Sequence, residues 1–83
     1  MNLLSYSAQS LVELSEVYSN FLYHKEEIKK GLIFSKTNQN HKAYKIYAQS
    51  LREVDSNLLK TKEYINTLLL VIEKESMQEG DHV

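Results

Sequence analysis

Residues 36–40 read KTNQN (Lys36-Thr37-Asn38-Gln39-Asn40), and the fold depends on whether the chain reverses there. Asn and Thr side chains bond nearby backbone groups and so compete with helical hydrogen bonding. The segment is read as a turn, with Thr37, Asn38 or Asn40 placed to cap the segment after it. What the turn joins is decided by the sequence on either side.

On the C-terminal side, Tyr44, Leu51, Leu58, Ile65 and Ile72 recur at heptad position a, with Tyr47, Val54, Thr61 and Leu68 at d. Strand alternation cannot produce this spacing. A helix over about 41–76 is expected, some 55 Å long at 1.5 Å per residue. Asp55-Ser56-Asn57 places three weak helix formers together and leaves its continuity open. The tail MQEGDHV, 77–83, loses the period and is expected to fray.

On the N-terminal side, Leu4, Leu11, Tyr18, Lys25 and Leu32 fall at a, and Ser7, Leu14, Phe21 and Ile28 at d. Asn2, Ser5 or Ser7 is placed to cap the start. Gly31 admits two readings. It is either the C′ residue that stops this helix, or an interior glycine tolerated at about 1 kcal/mol while Leu32 keeps the register. Continuation over about 3–35, or a short extra turn near 31–35, is preferred, because Leu32-Ile33-Phe34 is too apolar for a bare loop.

Two long amphipathic helices joined by a short turn lie antiparallel. The fold class is therefore all-α, a single helical-hairpin domain over 1–83 zipped along a and d. The composition agrees. There is no proline and only two glycines in 83 residues, so chain breakers are nearly absent. At 42% apolar the chain is too hydrophobic for a disordered one. With no cysteine, disulfides and thiolate chemistry are excluded, and stability must come from packing or from another chain.

The run Leu68-Leu69-Leu70-Val71-Ile72 raises the question of partners. Successive helical residues step about 100°, so five apolar ones circle the helix and cannot all face one seam. If the first helix stopped near Lys30, the second would overhang by about two turns at 68–76. Leu70 and Val71 would then be left uncovered, each forgoing roughly 1.5–3 kcal/mol of burial. Ile46, Leu59 and Tyr64, with Val12 and Tyr23, also lie off the seam. The expected partner-binding surface comprises Leu58, Leu59, Ile65, Leu69, Leu70, Val71 and Ile72, completed by a further helix from another chain. The alternative is that Met1, Leu3, Leu4 and Tyr6 fold over the run within one chain.

Other functions find little support. The run is far short of the roughly 20 apolar residues that span a bilayer. The opening MNLLSYSAQS lacks a basic leader, so no secretory signal is read and the cytoplasm is the expected compartment. His24 and Glu27 share a helix face, but two ligands fall short of a zinc site. The serines of the first helix sit in no strained elbow, and no glycine-rich loop exists to hold phosphate. Neither an enzyme nor a cofactor is expected. Net charge is −1, with six lysines against two acids over residues 25–45. That middle stretch is basic, yet its charge is too sparse for a nucleic-acid groove. The six tyrosines fit a protein interface better, where a ring buries area and its hydroxyl stays wet.

From Leu11 to Glu75 the chain resembles the small co-chaperones that guard needle subunits of type III secretion systems. The likeness lies in an amphipathic helix, the turn KTNQN, then HKAYKIYAQSLREVDSNLLKTKEYINTLLLVIEKE, with Tyr44 just after the turn. Needle subunits themselves usually carry a proline in the turn, and this chain has none. It also lacks the turn of the secreted Trp-Xaa-Gly hairpins. The resemblance implies a cytoplasmic protein that pairs with a larger helical-repeat chaperone to keep an aggregation-prone subunit monomeric. A self-assembling hairpin, as dimer or filament subunit, is the alternative function.

Overall fold

The computed structural model describes residues 3–81, and side chains from 5 to 77. It is an antiparallel helical hairpin of α1 (Leu3–Thr37) and α2 (His41–Asp81). The rod measures 66 × 15 × 15 Å, with a radius of gyration of 18.8 Å. A compact chain of this length would have a radius of gyration of roughly 12 Å. The described residues form one helix pair.

α1 does not stop at Gly31. It runs through the glycine to Thr37, two residues beyond the expected end. A Cβ placed on Gly31 would come within 3 Å of ring carbons of Tyr47, so the glycine exists to admit that ring. α2 passes unbroken through Asp55-Ser56-Asn57 and continues to Asp81, past the expected fraying point. The remaining tail residues, His82 and Val83, lie outside the described residues.

The turn closes in the manner its composition requires. Gln39 adopts a left-handed φ of 54°. Its N–H donates to the Lys36 carbonyl at 3.2 Å, and the Asn40 N–H donates to Ser35 at 2.8 Å. This pair of bonds is the Schellman arrangement, which satisfies carbonyls left open at a helix end. The Asn38 amide also donates to the Phe34 carbonyl at 2.8 Å. Asn40 is the cap of α2, accepting from the Ala43 N–H at 3.1 Å. Ser7 caps nothing: it is buried at position d inside α1. Asn2 lies outside the described residues.

The seam follows the heptads. Leu11, Leu14, Tyr18, Phe21, Ile28 and Leu32 are half-buried on α1, as are Leu51, Ile65, Leu68 and Ile72 on α2. Only Val54 and Leu58 are buried apolar residues among those described. The other buried seam positions are small and polar: Ser7, Ser35 and Thr61. Ser35 and Thr61 donate their hydroxyls to the carbonyls of Gly31 and Asn57, both at 2.8 Å, so burial leaves them satisfied. Lys25, the cation in the apolar stripe, pairs across the seam with Asp55 at 2.7 Å. That hydrogen bond raises the Lys25 ammonium above the ordinary 10.5, while partial desolvation pulls the other way.

Candidate protein-docking surface

Two contacts fix the register, Lys25 against Asp55 and Gly31 against Tyr47. Both helices rise 1.5 Å per residue. Carried along the rod, this register sets Leu14 level with Ile65, Leu11 with Leu68, and Ser7 with Ile72. The supposed overhang at 68–76 is thereby corrected. Because α1 extends past Gly31, Leu68 and Ile72 lie half-buried opposite α1.

The same contacts define two flanks. Around a helix, e and b lie on one side of an a/d seam, g and c on the other. Lys25 at a meets Asp55 at e, so the e sides of the two helices adjoin. Gly31 at g meets Tyr47 at d, so the g sides adjoin as well. The first side, the leucine flank, carries Val12, Leu22 and Ile33 from α1 with Leu59 and Leu69 from α2. The second, the tyrosine flank, carries Tyr6, Val17 and Phe34 with Ile46 and Tyr64. All ten are exposed.

The expected partner-binding residues divide accordingly. Leu59, Leu69 and Leu70 are 60%, 47% and 67% exposed and lie free of the seam. Leu58 is 8% exposed and packs toward α1, so it is withdrawn from any partner. Ile65 and Ile72 are half-buried seam residues. Val71, expected to lie uncovered, is also half-buried, on the tyrosine side. The folding-over of the N-terminus finds no support at Tyr6, which is exposed on α1. Met1 lies outside the described residues, as do the side chains of Leu3 and Leu4.

Of the α1 residues on the leucine flank, the sequence places Val12 off the seam but does not single out Leu22 or group either with Leu59 and Leu69. The missing step was to combine the e and b positions of both helices after assigning them opposite directions. Beside these residues runs a shallow groove of about 470 Å³, lined by Leu11, Val12, Ser15, Glu16, Ser19 and Asn20. Its floor is low because serines are short. The Ser15 hydroxyl donates back to the Leu11 carbonyl at 2.8 Å, presenting little polar character outward.

Charge is ordered along the rod. Residues 28–51, at the hairpin tip, hold five lysines and no acid. At the open end, residues 1–16 and 63–83 hold seven acids and one lysine. The stretches between carry four of each sign. Among the described residues the ion pairs are Lys25–Asp55, Lys29–Glu26 and Lys30–Glu27, the last two taking two of the five tip lysines. Among the described residues, Lys36, Lys42 and Lys45 at the tip and Glu73 and Glu75 at the open end form no ion pair.

No metal-ligand group of three His, Asp or Glu side chains occurs among the described residues. Glu27 turns to Lys30, and His24 meets the Tyr23 ring edge-on at 6.0 Å between centroids. No described helix is long and apolar enough to cross a membrane. Comparison with protein-family models, curated proteins and solved structures found no match.

Proposed function

We propose that this protein is a non-enzymatic, cytoplasmic binding module whose leucine flank covers the apolar face of a helical partner. The observation that carries the reading is the exposure of Leu22, Leu59 and Leu69 together on one flank of a register-locked rod. Helix-in-groove recognition needs such a surface: apolar anchors at helical spacing beside a shallow channel. A size argument supports it. A compact 9.7 kDa protein exposes roughly 5,100 Å², whereas this hairpin exposes 6618 Å². The excess of roughly 1,500 Å² is larger than the ~800 Å² that one partner contributes to a standard interface.

The type III secretion co-chaperones give this reading its concrete form. In it, the hairpin acts with a larger chaperone, and a needle subunit's amphipathic helix is kept from self-assembly until export. The test uses the full chain as bait in an extract of its native host, beside a Leu59→Lys, Leu69→Lys variant of equal helicity. A helical protein retained by the wild type, lost with the variant and raising the wild-type melting temperature supports the reading. Equal retention by both baits overturns it.

A further inference from the structure

We infer that a second copy of this chain docks antiparallel on the leucine flank, forming a twofold four-helix bundle. The charge order argues for it. Oppositely charged ends with a neutral middle form a pattern that complements itself when one rod is reversed. At about 0.15 M ionic strength the Debye length is ≈ 8 Å. The rod is 66 Å long, so each end responds only to the charges beside it. A parallel pair would place tip lysines on tip lysines. A reversed pair related by a twofold sets α1 on α1 and α2 on α2, and places Lys45 over Glu73 of the second copy, both at b on the leucine flank, with Lys36 beside them. None of these three charges forms an ion pair among the chain's described residues.

Shape gives an independent argument. With the rods reversed and fully overlapped, the groove at Ser15 and Ser19 lies level with Leu22 and Leu59 of the second copy. Leu22, 43% exposed, enters the low channel of the α1 it faces as ridge into groove, while Leu59, 60% exposed, lies level with its own counterpart on the facing α2. The twofold repeats the contact, so both grooves fill. The apolar centre thus coincides with the electrically balanced middle, where desolvation removes no net charge. The flank cannot hold a second copy and a helical partner together, so the dimer stores the adaptor with its leucines covered.

Two measurements on the full chain test this. Sedimentation equilibrium across a dilution series should show monomer passing to dimer, with dissociation promoted by salt. Lys36→Glu with Lys45→Glu should weaken association by roughly tenfold or more, and Glu73→Lys should weaken it in the same direction. An equimolar mixture of these two variants should restore it, because each reversed end then meets its opposite. Leu59→Lys, at an exposed position, should abolish the dimer with helicity unchanged. Orientation is read by disulfides, which the cysteine-free chain permits. Lys45→Cys mixed with Glu73→Cys should give the mixed disulfide. A constant monomer mass, or disulfides joining only like positions, overturns the inference. The adaptor reading survives either result, since its own test is capture by the flank.

Discussion

Gly31 shows how one missing side chain shapes this hairpin. By propensity alone, replacing an interior helical glycine with alanine stabilises by about 1 kcal/mol. Here the Tyr47 ring occupies the space the new methyl would take, and it must swing outward. Gly31→Ala is therefore expected to gain clearly less than that value, or to lose stability. In a Tyr47→Ala background the same change should recover the full ~1 kcal/mol. Urea unfolding of the four proteins measures the coupling, and equal gains in both backgrounds would contradict the contact. Tyr47 was legible as a seam residue from its heptad position. Its meeting with Gly31 was not, because that depends on a register no single-helix pattern contains. Lys25 teaches the same lesson, its place in an apolar stripe making sense only beside Asp55.

At the scale of elements, both helices and the turn were legible, because a period held over four or more heptads overrides weak local propensity. This is why α2 is continuous across Asp55-Ser56-Asn57. The end of α1 was harder to read. Glycine marks either a stop or a close approach, and one sequence does not distinguish them. Continuation past Gly31 was the preferred reading and α1 does continue, but the exposure expected for Val71 rested on the other branch, a stop near Lys30 with an overhang. The turn itself retains a correctable strain, since Gln39 is a non-glycine residue at φ 54°. Gln39→Gly should raise stability by roughly 0.5–1 kcal/mol, because the left-handed position suits glycine. A higher urea midpoint with unchanged slope is the expected result, and a lower midpoint would contradict the assigned turn geometry.

For the whole molecule, the deciding fact is that two helices enclose one seam and cannot enclose two flanks. Domains of this kind have only about 5–15 kcal/mol of stability. Single exposed leucines are ordinary on protein surfaces. A line of them along one flank of a rod, beside a serine-floored groove, is the feature on which the proposed docking of another helix rests. The most direct test is the binding of a fluorescent hydrophobic dye to the dilute, monomeric chain. The account predicts enhanced fluorescence, abolished when Leu59, Leu69 and Leu70 are all changed to lysine, with helicity and urea midpoint nearly unchanged. A dilute monomer that binds no dye and melts above about 90 °C would contradict it.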